Sequence, residues 1–192
     1  MNTSKTKKLH WLVSTPARVK SASLALALLT LGLAAQAQDA DARQPLLPSP
    51  LCDSVQVPEG SVMAFHAYAI GLQIYRWTGT TWVFVAPQAK LYADAGYHGQ
   101  VGTHFAGPTW ESNSGSQVLG VRIASCTPDP NSIAWLKLAG ISTQGPGIFD
   151  GVAFVQRVNT VGGTAPASPG TTVDELAGVP YAAEYFFYRT QD

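Results

Sequence analysis

The chain has 192 residues, enough for one domain of ordinary size or two small ones. Only 12% of the residues are charged and 46% are hydrophobic, a composition that excludes intrinsic disorder for the chain as a whole. The 12 basic and 12 acidic residues cancel, but five of the basic ones lie within the first 20 positions, so the neutral total averages two unlike parts.

The first 37 residues are predicted to be a signal peptide that is removed on export. The basic start is followed by a short apolar run, 24–35, and by Ala35-Gln36-Ala37, the small-x-small pattern of a signal-peptidase site. An uncleaved membrane anchor is the alternative, but this run is shorter than the roughly 20 residues of a membrane-spanning helix. No other stretch of the sequence is long enough to span a membrane. We therefore expect a periplasmic or secreted product that begins at Gln38.

The predicted mature chain is acidic, with 7 Lys and Arg against 12 Asp and Glu, a net charge of about −5. A protein that binds nucleic acid or an anionic membrane needs a basic face, so neither is expected as a partner. Cys52 and Cys126 both lie in this part, where an oxidising compartment favours a disulfide that would close a loop of about 75 residues. The alternative is a pair of small buried thiols.

The mature chain is predicted to be a flexible lead-in, 38–54, followed by one all-β domain, 55–192. Short runs of β-branched and aromatic residues alternate there with Gly, Pro, Asn and Ser, which is typical of strands and turns. Predicted strands are 61–70, 73–77, 82–86, 89–93, 117–125, 133–141, 148–158 and 181–190. In all, about 9–10 short strands and no helical period predict an antiparallel β-sandwich or barrel.

Five blocks along this domain form a distinctive pattern. They are Val57-Pro-Glu-Gly60, Ala64 to Trp77, Gly102-Thr-His-Phe-Ala-Gly-Pro-Thr-Trp-Glu-Ser112, Gln156 to Gly163, and Val179-Pro-Tyr-Ala-Ala-Glu-Tyr-Phe-Phe-Tyr-Arg189. The pattern resembles the DUF3455 family of exported bacterial and fungal proteins, over about residues 52–190. The resemblance implies no activity, because the family is uncharacterised. Some members are labelled malate dehydrogenases, but Gly145-Pro-Gly147 lacks the strand, helix and third glycine of a dinucleotide-binding fingerprint.

Histidines and a carboxylate suggest one candidate site. His104, Trp110 and Glu111 lie in a glycine-rich stretch, and His66 lies in a predicted strand. If His66, His104 and Glu111 converge, they form either a site for a single divalent metal or the acid and base of a hydrolase. The spacing matches neither HxH nor HExxH, so the simpler interpretation is that His66 forms a hydrogen bond inside the barrel and Glu111 pairs with an arginine. No other cofactor is predicted.

Four arginines lie between apolar residues inside predicted strands. They are Arg76, Arg122, Arg157 and Arg189. An unpaired buried charge costs several kcal/mol, so each must be paired or exposed. Glu111, Glu184 and Asp94 are the expected partners, and any arginine without one marks a place to search for function.

The aromatic side chains can build either a core or the wall of a pocket, since Trp and Tyr combine an apolar face with a polar edge. The function predicted from the sequence is therefore binding of a small molecule or a surface glycan. Candidate binding residues are His66, Tyr75, His104, Trp110, Glu111 and Arg157. The alternatives are the hydrolase described above and a structural protein of the cell envelope, and the sequence indicates no oligomeric state.

Overall fold

A computed structural model describes residues 44–191, so the predicted signal peptide lies outside the described residues. The described part contains one short 3-10 turn, Asp53–Val55, and eight strands. The strands are β1 (Val62–Trp77), β2 (Trp82–Tyr92), β3 (Gln100–Phe105), β4 (Thr109–Ser112), β5 (Gln117–Cys126), β6 (Trp135–Gln144), β7 (Phe154–Gly162) and β8 (Leu176–Arg189). Each strand pairs antiparallel with the next, and β8 pairs with β1 to close a barrel. The predicted all-β antiparallel fold is confirmed.

Eight strands form, rather than nine or ten, because two expected breaks lie inside long strands. Gly71 lies inside β1 and allows this strand to approach β2 closely. A Cβ added at Gly71 would overlap the carbonyl oxygen of Gln88. Pro87 continues β2 opposite Gln73, in a segment that is paired with β1 only. A strand edge without a second partner tolerates a residue that has no N–H group.

The barrel is closed at one end by aromatic side chains. Rings of Phe65, Phe149 and Phe187 lie 4.7–6.0 Å apart between centroids. Phe149 is fully buried and belongs to the β6–β7 connection, so the predicted strand 148–158 is wrong over its first half. The interior is therefore filled at this end. Open space lies toward the other end, near the turn that connects β1 to β2.

The segment before β1 packs on the outer wall of the barrel. Cys52 and Cys126 form a disulfide with an Sγ–Sγ distance of 2.10 Å, which confirms the predicted bridge. Val55 and Val57 pack beside it in an apolar cluster that includes Trp135. No helix within residues 44–191 is long and apolar enough to cross a membrane.

Candidate ligand-binding pocket

The two shortest strands leave a gap in the barrel wall. β3 pairs with β2 only along 89–92, and β4 pairs with β5 only along 109–111. As a result, 82–88 of β2 and 120–126 of β5 each have a strand partner on one side only. The backbone N–H of Gly120 donates to the carbonyl of Pro108 at 3.0 Å, so the tip of the β3–β4 hairpin borders this gap.

A pocket of about 670 Å³ opens at the gap and extends into the barrel. Its mouth is lined by Phe84 and Val85 of β2 and by Val121 and Arg122 of β5. Phe84 is paired with Tyr75, whose side chain faces inward, yet 53% of Phe84 is exposed to solvent. An inward-facing ring with this exposure shows that the barrel is open to solvent here.

The floor of the pocket is a stack of aromatic rings. His104 and Trp110 are paired across β3 and β4, and their rings lie parallel with 4.4 Å between centroids. The ring of Tyr185 meets both edge-on, at 5.2 and 5.4 Å. Gly120 leaves room for this stack, since a Cβ there would lie 3.1 Å from the Trp110 ring. The floor is therefore apolar and rigidly packed.

The imidazole of His104 is uncharged near neutral pH. Its Nδ1 lies 2.8 Å from the carbonyl oxygen of Thr109, which can only accept, so Nδ1 carries the hydrogen and Nε2 is an acceptor. Burial lowers the pKa of His104 to about 3, against the hydrogen bond to Thr109, which raises it. The nearby Arg157 guanidinium lowers this pKa further.

Arg157 is the cation in the interior of the pocket. It alternates with Gln156 and Val158, which belong to the outer wall, and its Nε and Nη2 both donate to the carbonyl of Ala134, at 3.1 and 2.8 Å. A guanidinium has five N–H groups, so three remain, and one of them can donate to the neighbouring Tyr185 hydroxyl. Within the described part of the chain, neither Arg157 nor Arg122 forms a salt bridge.

The carboxylates expected to pair with these arginines have other partners. Glu184 binds His66, Asp94 binds His98, and Glu111 accepts from Gln117 at 3.1 Å. The predicted pairing was therefore wrong for all three carboxylates. Strand alternation gives the physical reason for Glu111 and Glu184, since both lie on the outer face while Arg157 faces inward.

Two buried side-chain donors in the pocket residues have no partner among residues 44–191. They are Nε2 of Gln73, a residue 2% exposed, and Nε1 of Trp110, a residue 1% exposed. A buried donor without a partner costs about 1–3 kcal/mol, and such groups are rare in folded proteins. Burial raises the pKa of the Tyr185 hydroxyl, so this group is protonated at neutral pH. The two unpartnered donors are therefore enclosed in the packed wall and do not face the open space of the pocket.

The sequence blocks of this barrel match one family model. The model is described as a protein of unknown function (DUF3455), and it matches residues 58–189. The chain belongs to the DUF3455 family. The match spans all eight strands and therefore the whole pocket. No curated protein and no solved structure matches the chain.

The DUF3455 barrel brings together four of the six candidate binding residues and separates two. Tyr75, His104, Trp110 and Arg157 line the pocket. His66 lies on the outer wall instead of inside the barrel: its Nε2 is 2.9 Å from Glu184 and its ring stacks on Phe186. Glu111 also faces outward, because its neighbours Trp110 and Ser112 are buried on the inner side.

The hypothetical metal or hydrolase trio is not assembled. His104 is inside the barrel, whereas His66 and Glu111 belong to its outer face. The described residues contain no group of three or more His, Cys, Asp or Glu side chains that could hold a metal ion. Adjacent residues of a strand face opposite ways, so the proximity of Glu111 to Trp110 in sequence did not place both in one site.

Several pocket residues of the DUF3455 domain were absent from the predicted site. They are Gln73, Phe84, Arg122, Leu136 and Tyr185. The alternation Gln73, Tyr75, Trp77 along one strand is the signal for Gln73, since Tyr75 was already a candidate. Phe84 could not be found this way, because its position depends on a bulge between β1 and β2 next to Tyr75.

A second cavity, a wide groove of about 990 Å³, has a different character. Its lining includes the outward-facing side chains of Ile70, Lys90 and Phe105. Of the two cavities, the 670 Å³ pocket is the one that holds the candidate residues Tyr75, Trp110 and Arg157. That pocket is therefore the candidate functional site.

Proposed function

We propose that this DUF3455 domain is an exported binding protein that holds a small organic molecule inside its barrel. The observation that carries the proposal is the solvent-open pocket of about 670 Å³, whose lining is mostly apolar and aromatic and includes the Arg157 guanidinium. Small-molecule sites are typically concave, about 300–1,000 Å³, and mostly apolar with a few placed polar groups. The pocket matches this description in size and in chemistry.

Burial of the aromatic rings favours a small molecule over a surface glycan. Trp110 and Tyr185 are each only 1% exposed, so their faces are packed within the barrel. A polymeric sugar needs an exposed ring as a stacking platform, whereas a small ligand can enter through the mouth at Phe84. Glycan binding is therefore an outcome that the experiment below must exclude.

Export is part of the proposal and has separate support. The leader 1–37 has the organisation of a signal peptide, and disulfides such as Cys52–Cys126 persist in oxidising compartments. Expression in a bacterial host, followed by N-terminal sequencing of the periplasmic or secreted product, should give Gln38 as the first residue. Recovery of the full chain in the cytoplasm alone contradicts export.

The pocket is tested with two probes of one shape, 2-naphthoate and 2-naphthamide, and with a panel of soluble glycans. Isothermal titration of the mature protein should show one naphthalene probe bound per chain. Leu136→Trp should abolish this binding, because Leu136 lines the pocket and faces inward. Leu176→Trp is the matched control, since Leu176 is 64% exposed and lies outside the pocket lining.

Three results would overturn the proposal. One is that neither naphthalene probe binds. Another is that the Leu136→Trp protein, shown by circular dichroism to be folded, binds them as the wild type does. The third is that only glycans bind and Leu136→Trp leaves that binding unchanged.

A further inference from the structure

We infer that the molecule held in the pocket is an anion whose carboxylate is bound by Arg157. This inference rests on the proposed function, and it adds the chemical class of the ligand. It starts from the charges of the pocket, which differ from those of the domain around it.

The pocket is basic inside an acidic domain. Residues 44–191 contain 6 Lys and Arg against 9 Asp and Glu. The described residues that line the pocket include Arg122 and Arg157 and no Asp or Glu. The neutral His104 adds no charge, so these two guanidinium groups set the sign of the local potential. A cleft lined by one sign of charge concentrates the oppositely charged ligand.

The other described cations are engaged elsewhere or lie outside the pocket. Arg76 pairs with Asp174 at 2.7 Å, and Arg189 donates to the carbonyl of Asp150 at 2.7 Å. Lys137 donates to the carbonyl of Gln56 at 2.8 Å. Arg157 also donates to a carbonyl, but that bond leaves its charge uncompensated by any carboxylate in residues 44–191. A partly buried guanidinium without a counter-ion is costly, and an anionic ligand removes that cost.

The geometry of Arg157 suits a carboxylate. Nε and Nη2 share one acceptor, the carbonyl of Ala134, which fixes the plane of the guanidinium. The three remaining N–H groups lie in this plane, and with one of them directed to the Tyr185 hydroxyl two are left to form paired hydrogen bonds to the two oxygens of one planar group. The Tyr185 hydroxyl lies beside Arg157 and, being protonated, is a further donor. The ligand would therefore place its carboxylate at Arg157 and its apolar body against the exposed apolar side chains of the mouth, Phe84, Val85 and Val121.

The test compares 2-naphthoate with 2-naphthamide, which differ in charge and little in shape. The acid should bind the wild-type protein at least about tenfold more tightly than the amide, because bonds between ionised groups are the stronger ones. Arg157→Gln should reduce this preference to about twofold or less while amide binding stays within a few-fold. Arg157→Lys retains the charge and should restore part of the preference.

Arg122→Gln provides a second variant that leaves the fold untouched, since Arg122 is exposed and has no salt bridge in the described part of the chain. It should lower acid binding by a smaller factor than Arg157→Gln. Added NaCl should weaken acid binding and leave amide binding unchanged.

The results separate the two proposals. Equal binding of acid and amide to the wild type, with loss of both in Leu136→Trp, keeps the pocket and overturns the anion. A preference for the acid that survives in a folded Arg157→Gln protein also overturns the role of Arg157. If neither probe binds, the pocket and the anion are both overturned.

Discussion

His104 couples burial in the pocket floor to the pH dependence of folding. Its pKa is lowered to about 3, chiefly by burial, from the ordinary value of 6.5. Between these values the unfolded chain binds a proton that the folded chain does not, so the free energy of unfolding falls as the pH decreases below about 6.5. One such proton contributes up to about 1.4 kcal/mol per pH unit.

His104→Asn should remove this contribution, because Asn does not titrate and can still donate to the carbonyl of Thr109. Urea unfolding at pH 7 and pH 5 should show a loss of stability about 2 kcal/mol smaller in the variant than in the wild type. His98→Asn is the control, since the His98 side chain is 82% exposed, and it should keep the wild-type slope. Equal slopes in His104→Asn and wild type contradict a neutral buried imidazole.

Glu184 connects two strands on the outer wall. It binds Nε2 of His66 and Nδ2 of Asn159, each at 2.9 Å, and Asn159 has a positive φ of 50°. The hydrogen bond from His66 is the largest cause that holds the pKa of Glu184 below its ordinary value, against partial burial. A lowered carboxyl pKa stabilises the fold above the unfolded-state pKa, and this stabilisation is lost as the pH falls through the folded-state value.

Glu184→Gln should therefore lower the free energy of unfolding by about 1 kcal/mol at pH 7, a small value because the pair is partly exposed to solvent. The difference from wild type should shrink as the pH falls from 7 to 3, because protonation of Glu184 removes the stabilisation, and denaturant titrations across this range would show it. Glu111→Gln serves as the comparison, since Glu111 has one side-chain partner, Gln117. A difference that grows as the pH falls toward 3 would contradict the assignment.

The residues of the pocket were predictable where residue type alone carries the information. Tyr75, Trp110 and Arg157 were candidates because a large ring in a strand is usually buried and a charge in a strand must be paired or exposed. The sequence did not show that the His66 and Glu111 side chains lie outside the pocket, because it does not show which face of each strand points into the barrel. Gln73 was missed although its alternation with Tyr75 places both side chains on the same face of β1, because a glutamine by its residue type does not suggest a buried site.

At the level of strands, Gly71 determines how closely β1 and β2 can approach. A Cβ at this position would overlap Gln88 and lie 2.5 Å from the Cα of Ala89, and both contacts involve backbone that cannot move aside. Gly71→Ala should lower the free energy of unfolding by about 3 kcal/mol or prevent folding, at the upper end of the 1–3 kcal/mol that overpacking typically costs, because the contacts involve backbone. Chemical denaturation measures this loss.

Gly178→Ala is the matched control for Gly71→Ala. Gly178 pairs with β1 too, but the nearest atom to an added Cβ is Cδ1 of Leu72 at 3.1 Å, the far end of a flexible side chain. Its cost should stay below about 1 kcal/mol. Similar losses for both variants would show that the approach of β1 to β2 is not what Gly71 provides.

For six of the eight strands, the sequence predicted the presence of the strand better than its first and last residues. The turn residues of 113–116 separate β4 from β5. Gly71 and Pro87 are residues that usually end strands, but they lie inside β1 and β2. β3 and β4 were not predicted because their glycine-rich sequence, 100–112, has a weak strand signal. These two short strands create the gap at the mouth of the pocket, so the functional opening lies where local sequence is least informative.

At the level of the whole molecule, closure of the barrel depends on β8 returning to β1. That contact joins residues at least 100 positions apart, and no local pattern specifies it, so the sequence did not distinguish a barrel from a sandwich. The same closure turns one end of the sheet into a packed core of phenylalanines and leaves the pocket at the other end. Fold class was therefore accessible from alternation, whereas the position of the cavity required the long-range pairing.

The disulfide is the other long-range connection, and it joins the segment before β1 to the end of β5. Cys52 and Cys126 are 74 residues apart, so the bridge restricts the unfolded chain strongly, by about 4 kcal/mol in the chain-entropy model. The double variant Cys52→Ala/Cys126→Ala should lose 2–5 kcal/mol of unfolding free energy.

The eight paired strands do not depend on this bridge, so the double variant should remain a folded barrel and should still bind the naphthalene probe at low temperature. Denaturant unfolding with and without a reducing agent gives the free energies, and far-ultraviolet circular dichroism reports the barrel. Reduced wild-type protein should match the double variant, which separates the effect of the bridge from that of the substituted side chains. A loss below about 1 kcal/mol would mean that the unfolded chain is already compact around this segment.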